Sequence, residues 1–484
     1  MKDIALRALD TVVRRGVTYA DARAVEIRER DITTKNGKAG HVASNESLGV
    51  GIRVLAGGCW GFAATDDVSR NGIDAAVALA LEIARSGAAA KKHDVVLSPE
   101  EKFEATWVSP YRVDPFRIPV DRNLSVLLAV DEELRRNPGV NLAEAAMHFE
   151  RRRQVFASTL GSVVDQTRYL TGTGYSALSY KNGEIQKRSY PNSFGGQHQL
   201  KGYELVEELQ LLENAPRVAE EAVALHSADQ CPEGEFNLIL DSSQIGLQIH
   251  ESIGHPIELD RVLGSEANYA GMSFLTLDQL GSLRYGSDIV NVVCDARPAH
   301  GPGLGTFAFD DEGVPAQSTD IIRDGRFVGY MTSRETAAQV GQTRSNGCMR
   351  ADGWGRLPLI RMTNVSLKPG KQSLEEVFDA DQAIYMETNR SWSIDDKRYQ
   401  FQFGCEVAWE IRRGKRVRML KNPSYSGITT EFWNACAAIA GPEHWKLWGL
   451  PNCGKGQPEQ VMGTGHGASP ARFHSIKIGS AYAG

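Results

Sequence analysis

One arrangement of predicted elements occurs twice in the first half of the chain and restricts the folds open to it. Runs that alternate apolar and polar residues predict strands, and a 3.6-residue apolar period predicts helices. The first copy reads helix, three strands, helix, at 3–15, 22–29, 31–43, 48–56 and 68–86. The second copy repeats that order at 120–136, 142–157, 161–171, 174–181 and 202–226. We therefore expect two related α+β lobes.

The pattern changes after residue 235. An apolar strand at 236–241 leads into a predicted helix at 242–264. Short alternating runs follow, some of them around turns such as Asp324-Gly325, at 289–294, 320–331, 359–367 and 399–412. Closely spaced turn signals favour a closed or strongly curved sheet over a parallel one. We expect a mainly β domain, curved or barrel-like, that carries the 242–264 helix.

Length and two polar segments set the expected domain limits. Single cores stop growing near roughly 250–300 residues, so a chain of 484 residues should form at least two domains. A proline-rich stretch at 87–119 suits a surface connection, and 227–234 separates the second lobe from the strand that follows. We predict an α+β protein with lobes at 1–90 and 115–228 and a β-rich domain at 234–484.

Composition argues against several classes of protein. The formal net charge is only −6 and no dense run of Lys and Arg occurs, so nucleic acid is not an expected partner. The N-terminus is charged through its first turns, unlike a signal peptide, and no stretch approaches the roughly 20 apolar residues of a membrane span. The cysteines are scattered without a C-x-x-C pair, which argues against a zinc ribbon. We expect a cytoplasmic protein with no membrane partner.

The predicted helix at 242–264 carries the strongest chemical signal. Ser242 or Ser243 is the expected N-cap, and His250, Glu251 and His255 follow on the same helix. One apolar face recurs every four residues, at Ile245, Ile249, Ile253 and Ile257. Two histidines flanking a glutamate on a helix are typical of a catalytic zinc site, in which the metal activates a water and the glutamate accepts its proton.

The spacing of the two histidines predicts a distorted helix. The familiar motif separates them by four residues, whereas His250 and His255 are five apart, which is roughly 140° of rotation on an ideal helix. A straight helix cannot aim both side chains at one ion. Gly254 makes a π-type bulge or a kink least costly, and Pro256 disturbs the same turn. We expect the distortion around Gly254.

A catalytic zinc site takes a third protein ligand and keeps a fourth position for water. The residues alone leave four candidates for that ligand: Glu258, His300, His466 and Cys453. Thiolate is a strong zinc ligand and Cys453 lies in a glycine-flanked loop. A single cysteine is nevertheless more commonly an inert buried residue, so the choice stays open at this point.

Other polar residues are weaker candidates for function. The acidic triplet 310–312 could hold a cation, but a solvated acidic turn is favoured because consecutive side chains point apart. Arg361, Asn364 and Lys455 could contact a peptide backbone or an oxyanion.

Four segments together resemble the TldD/PmbA family of metallopeptidases, and the likeness covers nearly the whole chain. They are HESIGHPIELD at 250–260, the run at 309–337, GRLPLIRMTN at 355–364 and PNCGKGQ at 451–457. In that family the active TldD-type subunits carry H-E-x-x-x-H and a C-terminal cysteine, which the PmbA/TldE-type partners lack. The resemblance implies zinc at His250, His255 and Cys453, with Glu251 as general base, and favours Cys453 over Glu258 and His466.

The resemblance also implies a dimer, commonly with a PmbA/TldE-type paralogue, around a cleft that admits unfolded or short peptides. Substrate-side variation is expected at 266–286, although no individual substrate-binding residue is predicted. We therefore expect a zinc-dependent peptidase. The competing hypothesis is a non-enzymatic peptide-binding or assembly subunit in which the same residues form a closed structural zinc site with little use for Glu251.

Overall fold

The computed structural model describes residues 1–13, 15–269 and 271–480. Residues 14 and 270, which fall in the predicted segments 3–15 and 266–286, lie outside the described residues. Within the described ranges, no helix combines the length and the apolarity that a membrane crossing needs.

Helices and strands of the first half follow the predicted order. They are α1 (Lys2–Val13), β1 (Tyr19–Lys35), β2 (Lys38–Ala56), β3 (Cys59–Thr65), α2 (Arg70–Gly87), β4 (Glu104–Val108), α3 (Val120–Arg135), β5 (Leu142–Ser158), β6 (Val163–Lys181), β7 (Glu184–Tyr190), β8 (Gln197–Gln199), α4 (Glu204–Glu208) and α5 (Leu211–Ala224).

The second half is dominated by strands. Its elements are β9 (Asp229–Gln230), β10 (Gly234–Leu240), α6 (Ser242–Ile249), α7 (Leu259–Val262), β11 (Val292–Asp295), β12 (Ser318–Arg323), β13 (Arg326–Phe327), β14 (Met349–Arg350), β15 (Leu359–Ile360), β16 (Val365–Leu367), α8 (Leu374–Phe378), β17 (Gln382–Ile394), β18 (Gln400–Arg412), β19 (Lys415–Lys421), β20 (Pro423–Ile428), α9 (Thr429–Asn434), β21 (Cys436–Ile439), β22 (Lys446–Lys455), β23 (Gln460–Ala468) and β24 (Ala471–Ser480).

One continuous sheet joins the two N-terminal lobes. Its main path runs β3-β2-β1-β5-β6-β4, and the antiparallel β1–β5 pair connects the two repeats. On one face Ala22 and Val155 pack with α1 and α2, whereas Ile32 and Phe149 pack with α3 and α5. The lobes are therefore two helix clusters on a shared sheet, and the limits 1–90, 115–228 and 234–484 remain predictions.

The opposite face of this sheet turns toward the C-terminal domain and is rich in charge. Arg53 of β2 pairs with Glu312 at 3.2 Å, and Arg188 of β7 pairs with Glu406 at 3.4 Å. Successive side chains of a strand point to opposite faces, so each strand supplies apolar residues to its helices and charged residues to the domain interface.

Five strands of the described chain close into a barrel in the C-terminal domain. They lie in the order β17-β10-β24-β20-β18, and β17 also pairs with β18, which closes the ring. Phe403, Tyr425 and Phe473 belong to its apolar core. The predicted stripe on α6 and the turn after it packs on the same core through Ile245, Ile249, Ile253 and Ile257. The α+β class and the closed sheet are confirmed.

Two local predictions are wrong, and a third missed a strand. Segment 31–43 contains the turn between β1 and β2, where Asn36 and Gly37 adopt φ angles of 48° and 76°. The runs 161–171 and 174–181 form one uninterrupted strand, β6. The predicted surface connection at 87–119 includes β4, which pairs in parallel with β6.

The N-cap of α6 also differs from the prediction. Asp241 takes this position rather than Ser242 or Ser243, because its carboxylate accepts the N–H of Ser243 at 2.8 Å and that of Gln244 at 3.1 Å. A carboxylate at this point satisfies helix N–H groups that have no partner within the helix.

The β22–β23 hairpin is held against the N-terminal half by β8. The Gln197 side chain donates to the Leu447 carbonyl at 2.9 Å and accepts the Gly449 N–H at 3.0 Å. Gly449 lies so close to β8 that an added Cβ would be 2.0 Å from the His198 carbonyl oxygen. A side chain at position 449 would therefore force backbone to move.

We expect the Gly449→Ala variant to lose about 1–3 kcal/mol of unfolding free energy, as overpacked sites do. Thermal and denaturant unfolding measure the loss. Gly353→Ala is the matched control, since a Cβ there would meet nothing within 4 Å. Equal stability of the two variants would contradict the close docking of the hairpin.

Candidate metal centre

A π-helical turn at His250–Gly254 follows α6 directly. Its hydrogen bond runs from the His255 N–H to the His250 carbonyl at 3.1 Å. This wider turn brings the two imidazole rings side by side, with their centroids 4.8 Å apart. Gly254 is required by close packing, because an added Cβ would lie 2.1 Å from the Met362 sulfur. The distortion predicted from the five-residue spacing is confirmed.

The imidazoles of His250 and His255 each use Nδ1 in a hydrogen bond, which leaves their Nε2 atoms for another ligand. His466 donates through Nδ1 to the Val365 carbonyl at 2.9 Å, so its Nε2 accepts the Nδ1–H of His250 at 2.8 Å. The Nδ1–H of His255 donates to the Glu258 carboxylate at 3.1 Å. Metal-binding histidines are commonly oriented by such bonds from the ring nitrogen that does not face the metal.

Cys453 of β22 completes a group of three buried donor atoms. Its sulfur lies 3.7 Å from His255 Nε2, and the donor atoms of His250, His255 and Cys453 all lie within 4.8 Å of one another. Ligands at about 2.1 and 2.3 Å from a tetrahedral ion are roughly 3.6 Å apart. The donor types and their spacing fit a zinc ion.

Burial and nearby charges favour the protonation states that metal ligands need. Burial lowers the pKa of His250 to about 4 and also lowers the pKa of His255, so both rings are neutral at neutral pH. Burial raises the pKa of the Cys453 thiol, but Arg361 and His255 outweigh this effect and bring that pKa below its ordinary value. Neutral imidazoles and thiolate are the forms that bind metal.

Glu251 lies beside the donor atoms, and Arg398 holds its carboxylate. The guanidinium donates through Nη1 to Glu251 Oε2 at 2.6 Å. Arg398 occupies the turn between β17 and β18 with a φ of 64°, and Thr429 donates to its carbonyl at 2.9 Å. Its Nε atom is buried and has no hydrogen-bond partner among the described residues. The barrel thereby places a fixed cation next to this carboxylate.

A cavity of about 210 Å³ opens onto these groups. Phe194 from the N-terminal half and Trp392 from the barrel form part of its wall, with their ring centroids 5.3 Å apart. The side chains of His250, Glu251 and Cys453 also line it. The donor atoms therefore face a space bounded by both halves of the chain.

A buried ionic cluster supports His255 from behind. Lys455 pairs with three carboxylates, at 3.5, 2.8 and 3.1 Å respectively: Glu258, Asp260 and Glu266. Arg261 adds a contact to Glu258 at 3.2 Å. Burial opposes ionisation of Glu258, but Lys455, His255 and Arg261 hold its pKa well below the ordinary value. Glu258 is therefore an anion able to accept the Nδ1–H of His255.

The structure separates the four candidate third ligands. Cys453 lies with the two histidines, whereas Glu258 and His466 each bond to a histidine Nδ1 on the side away from Cys453. His300 is 56% exposed and lies 3.7 Å from Asp295 in another part of the domain.

The acidic triplet 310–312 is buried, so the expected solvated turn is wrong. Asp310 accepts three backbone N–H groups, and Glu312 pairs with Arg53. The Asp310 bonds lie within the C-terminal domain, whereas the Glu312–Arg53 pair joins it to the N-terminal sheet, and this counter-charge on β2 offsets the cost of burying the carboxylate.

Arg361, Asn364 and Lys455 are engaged in the fold. Arg361 donates to the Cys453 carbonyl at 2.5 Å and Asn364 donates to the Asp295 carbonyl at 2.8 Å. Lys455 belongs to the ionic cluster described above. Contact of these three with substrate was a weaker hypothesis from the sequence and stays one, and sequence reasoning missed Arg398, which no local motif marks.

Comparisons with known proteins identify relatives of this chain. A family model described as the PmbA/TldA metallopeptidase C-terminal domain matches residues 233–479, and a model of domain 1 of the same group matches 20–84. A metalloprotease from Methanothermobacter thermautotrophicus is 28% identical over 464 residues, 96% of each chain. A zinc metalloprotease TldD homolog from Saccharolobus solfataricus is 29% identical over 249 residues, 51% of this chain and 52% of its own.

A solved structure shares the fold. It is that of a proposed modulator of a DNA gyrase from Thermotoga maritima, with a TM-score of 0.78, 17% identity and 99% of each chain covered. At this identity the likeness shows the fold alone.

The fold and the family match define this chain as a metallopeptidase. It belongs to the TldD/PmbA family, because the C-terminal family model alone covers more than half of its length.

We expect the Lys455→Met variant to lose about 3–5 kcal/mol of stability, because it leaves buried carboxylates without their cation. Unfolding experiments measure this loss, and metal titration should show weaker binding because Glu258 no longer holds His255 firmly. Lys446→Met, at an exposed position of the same strand, is the control. A Lys455→Met protein as stable as this control would contradict the role of the cluster.

Proposed function

We propose that this chain is the active, TldD-type subunit of a zinc-dependent peptidase that hydrolyses unfolded or short peptides. The observation that carries the proposal is the buried group of His250, His255 and Cys453, with the Nδ1 atom of each histidine already bonded. A relative named as a zinc metalloprotease supports the choice of metal.

The residues around the donor atoms suit hydrolysis by an activated water. His250, His255 and Cys453 would hold a zinc ion, which when bound would lower the pKa of a water molecule toward neutrality and polarise the scissile carbonyl. The Glu251 carboxylate takes the proton of the attacking water and delivers it to the leaving amine. Arg398 keeps that carboxylate in place through its 2.6 Å bond.

The competing hypothesis of a non-enzymatic subunit needs a closed site with four protein ligands. Among the described residues, the potential ligand atoms grouped here belong to His250, His255 and Cys453. Glu251 is engaged with Arg398, and Glu258 with His255. These contacts favour an open site over a closed one.

The cavity wall supports a peptide substrate held between the two halves of the chain. Phe194 and Trp392 offer aromatic surface next to the donor atoms. We further propose that the protein works in the cytoplasm as a dimer, either with a second copy or with a PmbA/TldE-type paralogue, and without nucleic acid or membrane. Light scattering of the chain with and without the paralogue tests the assembly, and a monomer in both samples would contradict it.

The Glu251→Gln variant should retain stoichiometric zinc and lose turnover by roughly 100- to 10 000-fold, as loss of a general base does. Metal analysis and hydrolysis of a library of unstructured peptides measure the two quantities. Glu375→Gln, on the exposed side of α8, is the control. Unchanged turnover in Glu251→Gln would favour the non-enzymatic hypothesis.

The Cys453→Ala variant should lose both zinc and turnover, because two histidines alone bind the ion weakly. Cys59→Ala, at a half-buried position far from the site in sequence, controls for the loss of a thiol. A strong chelator should reproduce the Cys453→Ala phenotype in the unmodified protein. Full zinc content in Cys453→Ala would exclude this residue as a ligand.

A further inference from the structure

A second, larger cavity lies between the N-terminal sheet and the C-terminal domain. Its volume is about 450 Å³, and the β22–β23 hairpin forms one of its walls. Met462, which lines it, pairs directly with Cys453 across the hairpin. Three arginines line the same space: Arg152, Arg168 and Arg350. Three carboxylates, those of Glu29, Glu150 and Asp352, line it as well, and the cavity adjoins the metal centre.

Two of these arginines face each other across neighbouring strands. Arg152 of β5 is directly opposite Arg168 of β6 in the antiparallel register, so both project from the face that meets the C-terminal domain. Like charges in this arrangement destabilise a sheet. The half-buried side chain of Arg168 has neither a hydrogen bond nor an ion pair with any residue in the described part of the chain.

Arg350 approaches from the opposite wall and also has no carboxylate partner among the described residues. Its guanidinium donates to three carbonyls at 2.7–3.0 Å, those of Met362, Gly463 and Leu304. Its Nε is buried without a hydrogen-bond partner. Burial and the neighbouring Arg168 lower the pKa of Arg350 to about 9.

Other buried arginines of this protein are neutralised by several carboxylates each. Arg53 pairs with Asp21 and Glu312, Arg188 with Glu221, Glu387 and Glu406, and Arg261 with Glu258 and Glu266. Burying a guanidinium without a counter-charge costs free energy. These three arginines each form ion pairs with carboxylates, whereas Glu150 and Asp311 act on Arg168, and Asp311 on Arg350, from beyond ion-pair distance.

The carboxylates in the cavity wall form no ion pair with Arg168 or Arg350 among the described residues. Glu150 lies 3.3 Å from Arg152, and Asp352 accepts the Val461 N–H and pairs with Arg356 at 3.7 Å. Glu29 is directly across the sheet from Glu150, and burial together with that neighbour raises the pKa of Glu29, which favours its neutral form. His148 is paired with Asp31 at 2.7 Å.

We propose that this cavity binds a carboxylate group carried by the peptide substrate. Guanidinium groups bind carboxylates through paired, charge-assisted hydrogen bonds. Leu170, Leu200 and Met462 provide apolar wall for the carbon atoms next to the carboxylate. The hairpin shared with the metal centre places this group within a few residues of the scissile bond, since an extended peptide advances about 3.3 Å per residue. The inference rests on the proposed peptidase function and adds substrate selection to it.

Three peptides with one common core test the inference. The first ends in a free carboxylate and the second in a carboxamide. The third also ends in a carboxamide but carries one aspartate in place of an asparagine. Their affinities are measured by fluorescence anisotropy with zinc-loaded Glu251→Gln protein, which should bind without cleaving. We expect at least one carboxylate peptide to bind roughly 10- to 100-fold more tightly than the neutral peptide. Preference for the first or the third peptide distinguishes a C-terminal carboxylate from an acidic side chain.

Substitution of Arg168 assigns the effect to the cavity. Adding Arg168→Gln should abolish the preference, whereas Arg168→Lys should keep part of it. Because the Arg168 side chain has no hydrogen bond or ion pair with a described residue, neither change should lower the melting temperature. Arg153→Gln is the matched control, since Arg153 points to the opposite face of β5 and pairs with Asp165 at 2.7 Å; it should keep the preference.

Equal affinity for all three peptides, or a preference that survives Arg168→Gln, would overturn the inference. The inference would likewise be overturned, in favour of a free-anion site, if the carboxylate peptides failed to displace the neutral peptide while inorganic phosphate alone bound tightly. Failure of the proposed peptidase function would look different. The wild-type protein would cleave none of the peptides, but the carboxylate preference and its loss in Arg168→Gln would both be observed.

Discussion

The hydrogen bond from the His255 N–H to the His250 carbonyl is the contact on which the metal centre depends. It widens one helical turn by one residue, and so cancels the rotation that five residues would produce on a regular helix. Ile249, Ile253 and Ile257 remain fully buried through the same turn, so the helix keeps its place on the barrel core while the imidazoles come together. Gly254 permits this because Met362 occupies the space of a side chain there.

The remaining parts of the site come from distant segments that the fold brings to this turn. Cys453 is 198 residues from His255 in sequence, and His466 is 216 residues from His250. Both lie on the β22–β23 hairpin, which Gln197 holds against the N-terminal half. Arg398 comes from a barrel turn. All three donor residues belong to the C-terminal half, and the docking of the N-terminal half against the hairpin encloses the arginine-lined cavity beside them.

Sequence patterns predicted features that depend on neighbouring residues. The helix distortion follows from the spacing of His250 and His255, and the β12–β13 hairpin follows from the turn signal at Asp324-Gly325. Features that depend on residues far apart in the sequence could not be predicted from local patterns. Arg398 is 147 residues from Glu251, and the buried state of Glu312 depends on Arg53, 259 residues away. The shared N-terminal sheet likewise depends on the non-local β1–β5 pairing. Cys453 was singled out only through family resemblance, because spacing alone left four candidate ligands.

X-ray absorption spectroscopy at the zinc edge, on the purified metal-loaded protein, tests the central claim most directly. The structure predicts one sulfur at about 2.3 Å and light atoms at about 2.0–2.1 Å, including two imidazoles, in a four-coordinate site. The spectrum of the Cys453→Ala variant should then lack the sulfur contribution. A zinc spectrum without a sulfur ligand in the unmodified protein would contradict the proposed centre of His250, His255 and Cys453.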